Sequence, residues 1–226
     1  MEHLASYEDN HFDLAIVDPP YGIKADSHVN NKSRTKLAKT KDYHKALWYQ
    51  DIPSKEYFEQ LFRISKNQIV WGANHFIQNM PKGSPCWIVW DKDNQGTDFA
   101  DAELAWTSFR AAVRIFKYRW NGMLQKNMKR KEVRIHPTQK PVDLYKWLLH
   151  NYAKQGDKIL DTHLGSGSIA IACHDYKFDF TGYEIDRVYF DLAKKRIDKH
   201  QRELQIDFNE NTRDIQAEPG LLFNAD

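Results

Sequence analysis

Hydrophobic and polar positions along the chain follow the periods of strands and helices in alternation. Mostly apolar runs over 12–17 and 158–161 predict two buried strands. Apolar residues at helical spacing over 54–65 predict an amphipathic helix. Further strands are predicted over 68–71, 86–90, 104–106, 112–116 and 179–183, and further helices over 141–153, 169–176 and 187–204. This alternation favours an α/β fold with a mostly parallel sheet and helices on both faces.

A glycine-rich turn over 162–168 separates the strand over 158–161 from the apolar helix that follows. Gly165 and Gly167 allow the backbone to approach a ligand closely, and the helix N-terminus favours negative groups such as a carboxylate. The next strand leads into Glu184, and an acidic residue roughly 20 positions beyond such a turn is placed to bind ribose hydroxyls. This layout predicts a nucleotide-type cofactor site.

A second motif, Asp18-Pro19-Pro20-Tyr21, directly follows the first predicted strand. Its prolines disfavour helix and force the chain to leave the strand as a stiff, extended turn. The turn brings a carboxylate, a backbone carbonyl and an aromatic face close together, which suits a planar ring that carries an amino group. The Asp18 carboxylate and the Pro19 carbonyl can each accept one N–H and so orient the nitrogen for reaction. An ordinary proline turn is the alternative for this motif alone.

Four motifs in their order resemble the β class of DNA amino-methyltransferases, in which the catalytic motif precedes the cofactor motif. The turn over 18–21 is similar to their catalytic turn, and 161–168 is similar to their S-adenosylmethionine loop. The hexad over 136–141, HPTQKP, resembles the segment that leads into the cofactor region. The stretch over 71–76, WGANHF, resembles the element that follows the catalytic strand in phage-type adenine methyltransferases.

The resemblance implies one Rossmann-like methyltransferase domain over 1–226, with permuted motif order and S-adenosylmethionine as cofactor. It implies site-specific transfer of a methyl group to adenine N6 of a flipped-out DNA base, because aspartate at the first motif position is more usual in adenine enzymes. It also implies a homodimer, for which the aromatic stretch after Gly72 is expected to supply an apolar contact. The catalytic residues it implies are Asp18, Pro19, Pro20 and Tyr21. The cofactor-binding residues it implies are Thr138, Lys140, Asp161, Gly165, Ser166, Gly167 and Glu184.

Two departures from the family pattern keep other functions open. His163 stands where the family usually has phenylalanine in the cofactor loop. The chain begins at Met1 where relatives have already completed a short strand, so we expect part of the pocket for the cofactor's adenine ring to be missing. An inactive methyltransferase-like protein that binds nucleic acid is therefore one alternative. Cytosine-N4 methylation is another, followed by methylation of RNA or of a protein glutamine.

Composition and cysteine usage indicate the class of protein and its cellular compartment. With 226 residues, 41% hydrophobic and 28% charged, the chain has the make-up of an ordinary globular domain. No apolar run reaches the length of a membrane helix, and the start of the chain lacks the features of a signal peptide. Cys86 and Cys173 lack zinc-motif spacing, so we expect no metal site and a reducing, cytoplasmic setting in a bacterial or phage-infected cell.

Net charge is only +2, but basic residues crowd two segments beside the motifs, 24–50 and 117–135. We expect both to be inserted segments that contact double-stranded or single-stranded DNA, with Asn121 or Gln125 reading base edges. Solvated basic loops are the alternative. The residues expected to contact phosphates are Lys36, Lys39, Lys41, Lys129, Arg130 and Lys131.

Overall fold

The computed structural model describes residues 2–22, 51–95, 100–121 and 124–216. Its centre is a seven-stranded sheet. In chain order the strands of this sheet are β1 Phe12–Val17, β2 Ser65–Trp71, β3 Trp87–Asp91, β4 Ala102–Thr107, β5 Arg114–Lys117, β8 Lys158–Asp161 and β9 Asp179–Gly182. A small antiparallel pair, β6 Trp120–Asn121 and β7 Leu124–Gln125, stands apart from it.

The strands lie in the order β5-β3-β4-β2-β1-β8-β9. β4 is antiparallel to both of its neighbours, and all other adjacent pairs in this sheet are parallel. β1 pairs with β8 through Leu14–Ile159 and Ala15–Leu160. The carboxyl ends of β1 and β8 therefore meet at one edge of the sheet, and the first residues of β4 lie at that same edge.

The described residues form five α-helices beside the sheet: α1 Glu2–Ala5, α2 Lys55–Ile64, α3 Val142–Tyr152, α4 Ser168–Tyr176 and α5 Arg187–Gln216. α2 begins as predicted, because the Ser54 hydroxyl accepts the Tyr57 N–H at 3.4 Å. Pro141 stands just before α3 as its N-cap instead of inside its first turn. α5 runs beyond the predicted end at 204, since no glycine or proline interrupts the chain before Pro219.

Both faces of the sheet are covered, as the sequence predicts. Leu14 and Ile16 of β1 pack into a cluster with residues of α3 and α4, whereas Ala15 and Val17 pack into a cluster with residues of α2. β1 is therefore apolar on both faces, which accounts for its nearly unbroken apolar run. Each fully buried side chain of the Leu or Ile type contributes about 1.5–3 kcal/mol of transfer free energy to this core.

Three parts of the predicted organisation are not tested by this architecture. The predicted insert over 24–50, with Lys36, Lys39 and Lys41, lies outside the described residues. The single-domain assignment and the role of the second insert, 117–135, also stay predictions. In the described ranges, no helix combines the length and the apolarity needed to cross a bilayer.

Candidate active site

The catalytic turn leaves the sheet at the carboxyl end of β1. Asp18 is the first residue after β1, and Pro19 behind it is buried. The Tyr21 hydroxyl donates to Asp18 Oδ1 at 2.8 Å, which closes the four-residue turn on itself. The structure therefore brings the predicted carboxylate and aromatic ring together at the sheet edge.

The stretch over 71–76 forms the wall behind Tyr21. Gly72 has a φ of +68°, and a Cβ atom added there would lie 2.0 Å from Tyr21 Cε1. The Tyr21 ring also stacks on His75, with ring centroids 5.0 Å apart and planes 14° from parallel. Only glycine at position 72 leaves room for this ring position. The predicted stacking of Tyr21 on a target base stays a prediction.

Lys140 connects the catalytic turn with the cofactor turn. Its ammonium lies 2.5 Å from Asp18 Oδ2 and donates to the Tyr21 hydroxyl at 3.1 Å. Its side chain is only 2% exposed. Its backbone carbonyl accepts the Ser168 hydroxyl at 2.7 Å, at the start of α4. The structure thus places the ammonium at Asp18, and the predicted cofactor-binding role of Lys140 remains a prediction.

Glu103 completes this cluster, and the sequence analysis missed it. Because β4 runs against its neighbours, Glu103 near its start lies at the edge where β1 and β8 end. Glu103 Oε2 is 3.1 Å from the Lys140 ammonium, and Glu103 Oε1 forms an ion pair with Lys92. Its sequence neighbourhood gives no signal, since a glutamate within a strand usually marks a solvent-facing position.

The charges of this cluster are balanced, with two carboxylates facing two ammonium groups. Burial raises the pKa of Asp18, Lys140 opposes this effect and the nearby Glu103 adds to it, so the pKa stays above its ordinary value. Burial acts on Glu103 in the same direction, but Lys140 and Lys92 together lower its pKa to about 2. Burial lowers the pKa of Lys140, yet Asp18 and Glu103 outweigh it and the pKa is raised. Both carboxylates are therefore paired with cations near neutral pH.

The cofactor turn gathers the predicted glycines and Glu184 at the ends of β8 and β9. Gly165 and Gly167 have φ angles of +52° and +72°, so both positions suit glycine. The Gly165 N–H donates to Glu184 Oε2 at 2.8 Å, and the Asp186 N–H donates to Glu184 Oε1 at 2.9 Å. These two amides fix the carboxylate beside the turn.

Asp161, the last residue of β8, adds a second buried carboxyl group to this region. Burial raises its pKa to about 8, and the charges of Asp18 and Glu184 also favour the protonated form. The His163 N–H, which donates to Asp161 Oδ1 at 2.9 Å, acts in the opposite direction. The carboxyl groups of Asp161 and Glu184 near the cofactor turn favour a ligand that carries positive charge, whereas Asp18 is already paired with Lys140.

His163, the departure from the family's phenylalanine, is a neutral aromatic residue in this structure. Burial lowers the pKa of its imidazole to about 4. Its ring contacts Tyr57 edge-on at 5.5 Å, and its Nδ1 lies 2.9 Å from the Thr162 hydroxyl. An uncharged ring with a hydroxyl partner preserves aromatic packing at this position.

Arg196 of α5 connects the cofactor turn by hydrogen bonds to Glu132, just before the hexad over 136–141. Its guanidinium donates to the Ser166 carbonyl and to the Ser168 hydroxyl, both at 2.9 Å. It also donates to Glu132 Oε2 at 2.6 Å, and Glu132 Oε1 accepts the Val142 N–H at 3.0 Å. This brace holds the start of α3 and the start of α4 together.

Thr138 of the hexad is exposed, and its hydroxyl lies 3.1 Å from His136 Nδ1. Its predicted cofactor-binding role is untested.

The beginning of the chain lies beside the end of β9, where the hydroxyls of Tyr7 and Tyr183 are 2.5 Å apart. Ile185 follows Glu184 and is 86% exposed, so apolar surface adjoins the predicted ribose acceptor.

The second basic segment is only partly available to DNA. Lys129, Arg130 and Lys131 are consecutive and exposed. Gln125 is buried, and its amide side chain both donates to the Glu132 carbonyl and accepts the Glu132 N–H, each at 2.8 Å. The hypothesis that Gln125 reads a base edge is therefore wrong, because the loop itself uses both ends of its amide.

Asp93 forms ion pairs with two other cations of this segment. It lies 2.9 Å from the Lys117 ammonium and 2.8 Å from the Arg119 guanidinium.

Among the described residues, one group of side chains could hold a metal ion: His174, Asp175 and His200. Asp175 of α4 already contacts His200 Nε2 of α5 and the Lys146 ammonium of α3, each at 2.6 Å. These contacts connect the three helices.

Comparison with known proteins identifies the family. The sequence profile of a DNA methylase family of N6 and N4 enzymes matches residues 35–195, more than half of the chain. The chain belongs to this DNA methylase family. The hexad, the cofactor turn and Glu184 lie within the matched residues, whereas the catalytic turn over 18–21 lies just before them. The predicted DNA methyltransferase class is confirmed, and the choice between N6 and N4 is not.

Individual relatives agree with this assignment. The chain is 25% identical to the type II methyltransferase M.HpaI of Haemophilus parainfluenzae, over 86% of this chain and 71% of that protein. It is 34% identical to the type II methyltransferase M2.DpnII of Streptococcus pneumoniae, but only over 35% of this chain and 29% of that protein.

Solved structures share the fold. TTHA0409 of Thermus thermophilus, a putative DNA modification methylase, superposes with a TM-score of 0.52 at 16% identity, over 88% of this chain and 91% of that chain. The cytosine-N4-specific PvuII DNA methyltransferase also gives a TM-score of 0.52, at 11% identity, over 84% of this chain and 81% of that chain. The predicted Rossmann-like methyltransferase fold is confirmed.

Proposed function

We propose that this chain transfers a methyl group from S-adenosylmethionine to adenine N6 in DNA. One observation carries this proposal: β1 and β8 are adjacent parallel strands, so Asp18 and the cofactor turn leave the sheet side by side. Ligands of open α/β sheets bind beyond the carboxyl ends of such strands. The acceptor site and the donor site are thus neighbours although their motifs lie far apart in the sequence.

The acceptor side suits an aromatic amino group. Such a nitrogen is a weak nucleophile, because its lone pair is delocalised into the ring. Asp18 and the Pro19 carbonyl each accept one N–H, which directs the lone pair toward the donor and stabilises the positive charge that develops on nitrogen. In a duplex this amino group is paired, so the base is first extruded into the site.

The donor side suits a sulfonium ligand. The carboxyl groups of Asp161 and Glu184 favour a cation near the turn, and Glu184 accepts ribose hydroxyls. Gly165 and Gly167 supply the left-handed backbone that the turn needs. TTHA0409, which shares the fold, has also been solved in complex with S-adenosylmethionine.

Adenine is chosen over cytosine because aspartate stands at the first position of the catalytic turn. The fold does not decide between them, since a cytosine-N4-specific enzyme shares it. The test is to incubate the protein with unmethylated DNA and S-adenosylmethionine, digest the DNA and quantify modified nucleosides by mass spectrometry. We expect N6-methyladenine. N4-methylcytosine selects the cytosine alternative, and cofactor binding without either product selects the inactive one.

DNA contact and dimerisation complete the proposed function. The exposed run Lys129, Arg130 and Lys131 contacts phosphates around the extruded base. Within the aromatic stretch after Gly72, Phe76 is fully buried and does not itself supply the expected dimer contact, whereas the neighbouring Ile77 is 48% exposed.

The edge strand β5 offers another surface for a second copy, since Val113 beside it and Ile115 within it are 50% and 66% exposed. We expect Ile115→Lys to convert a dimer to a monomer in light scattering. A monomeric wild-type protein at micromolar concentration counts against the dimer.

A further inference from the structure

We infer that Glu103 is a positioning residue that holds the Lys140 ammonium when a target amino group takes its place at Asp18. This role rests on the proposed function, because it concerns the same methyl transfer. Glu103 lies outside the four recognised motifs. The motifs supply the Asp18 carboxylate and the cofactor turn, whereas Glu103 controls when the Asp18 carboxylate is available to the target amino group.

In the structure, the Lys140 ammonium occupies the Asp18 oxygen that would accept an N–H of the target base. Its ammonium lies 2.5 Å from Asp18 Oδ2, while the Tyr21 hydroxyl takes Asp18 Oδ1 at 2.8 Å. A cation at Oδ2 competes with the target N–H for that oxygen. It also cancels the negative charge that stabilises the positive nitrogen in the transition state. Methyl transfer therefore requires the ammonium to move away from Asp18.

The ammonium cannot simply move into water. The Lys140 side chain is 2% exposed, and it lies over the rings of Tyr21 and Trp71 at 5.6 and 5.4 Å from their centroids. A buried ammonium without a counterion is strongly destabilised. Wherever Lys140 moves, it needs a second carboxylate within reach.

Glu103 is that second carboxylate. Its Oε2 already lies 3.1 Å from the ammonium, and its Oε1 is held by Lys92. Lys92 is itself only 17% exposed, so it anchors Glu103 on the side away from Lys140. A small shift of the ammonium from Asp18 toward Glu103 keeps the ammonium paired and releases the Asp18 oxygen for the target amino group.

This arrangement separates Glu103 from cofactor binding. Lys140 contacts the cofactor turn through its backbone carbonyl, and that bond to Ser168 does not depend on where the ammonium lies. Glu103→Gln removes the counterion and leaves Lys140 on Asp18. We therefore expect the variant to bind S-adenosylmethionine normally and to transfer the methyl group slowly.

The experiment measures single-turnover methyl transfer to DNA with S-adenosylmethionine bound beforehand. Glu103→Gln is expected to lower the rate by about tenfold or more, the scale of one lost charge-assisted interaction, with cofactor affinity changed less than about twofold. Glu103→Asp keeps the charge and is expected to stay within about threefold of wild type. Asp101→Asn, an exposed carboxylate just before β4, is the matched control and should match wild type.

A double-mutant cycle shows whether Glu103 acts through Lys140. In a Lys140→Met background, Asp18 has lost the cation that lowers its pKa, so the rate is measured at a pH high enough to keep Asp18 ionised. There Glu103→Gln should reduce the rate by less than about twofold, because no ammonium remains to be held. A full further tenfold loss in that background, or a Glu103→Gln rate equal to wild type, overturns this role. A tenfold loss in a folded Glu103→Asp protein overturns it as well. Absence of methylation by the wild-type protein rejects the proposed function instead.

Discussion

Gly72→Ala tests the geometry of the catalytic turn most sharply. The added Cβ would lie 2.0 Å from Tyr21 Cε1 and 2.4 Å from Tyr21 Cδ1, far inside van der Waals contact. The backbone at Gly72 has a φ of +68°, so alanine also strains the chain. The Tyr21 ring must therefore move from its place beside Asp18, while the sheet itself is unchanged.

The loss in the free energy of unfolding expected for Gly72→Ala has two parts. A left-handed alanine costs about 1–2 kcal/mol. Displacement of Tyr21 also removes its bond to Asp18 and the bond from Lys140, at 2.8 and 3.1 Å. Bonds to charged groups contribute about 1.5–3 kcal/mol each, and partial exposure of Asp18 places these near the lower end. We expect a loss of about 4–5 kcal/mol in the free energy of unfolding, and at least about a hundredfold in methyl-transfer rate.

Gly156→Ala is the matched control. Its φ is +91°, and nothing lies within 4 Å of the added Cβ, so it isolates the backbone strain. Urea unfolding should show a loss of about 1–2 kcal/mol for Gly156→Ala, with normal methyl transfer. Equal stability losses in the two variants, together with wild-type activity in Gly72→Ala, would refute the close contact between Gly72 and Tyr21.

Three further predictions concern the two ligands. The pKa of Asp161 is about 8 in the free protein, so S-adenosylmethionine affinity should be greatest above that pH and fall, by at most about tenfold per unit, as pH decreases. Calorimetry with S-adenosylhomocysteine, which lacks the sulfonium charge, should show a shallower dependence, and equal slopes would contradict the prediction. Glu184→Ala should weaken S-adenosylmethionine binding by about ten- to a hundredfold without changing the methylated base, whereas Glu203→Ala, an exposed carboxylate of α5, should not. Neutralising residues 129–131 together should weaken binding to all DNA sequences and reduce the salt slope by up to about 2.7, and an unchanged slope would remove them from the DNA path.

The parts of the fold that sequence predicts are those fixed by local pattern. β1 is apolar on both faces and ends at the proline turn, and the glycine turn after β8 needs left-handed backbone. The adjacency of these two turns follows from a general rule, since ligands gather at the carboxyl ends of parallel strands. The permuted order of the motifs does not change that spatial relation.

The positions of Glu103, Gln125 and Phe76 depend on strand direction and on side-chain partners, which cannot be predicted from the local sequence pattern. Ala102–Thr107 has the same pattern whether its strand is parallel or antiparallel, yet only the antiparallel direction brings Glu103 to Asp18. Gln125 is equally polar whether its amide bonds a base or the Glu132 backbone. The aromatic residue Phe76 is equally apolar in a dimer contact and in the core, where the structure places it.

The central claim is that Asp18 and the cofactor turn form one site for methyl transfer to a DNA base. The most direct measurement is single-turnover transfer of labelled methyl groups from S-adenosylmethionine to DNA by wild type and by Asp18→Ala, with cofactor affinity measured by calorimetry on the same preparations. We predict that Asp18→Ala loses about 10²–10³-fold or more in rate and keeps most of its cofactor affinity. A folded Asp18→Ala protein that transfers methyl groups at nearly the wild-type rate would contradict the claim.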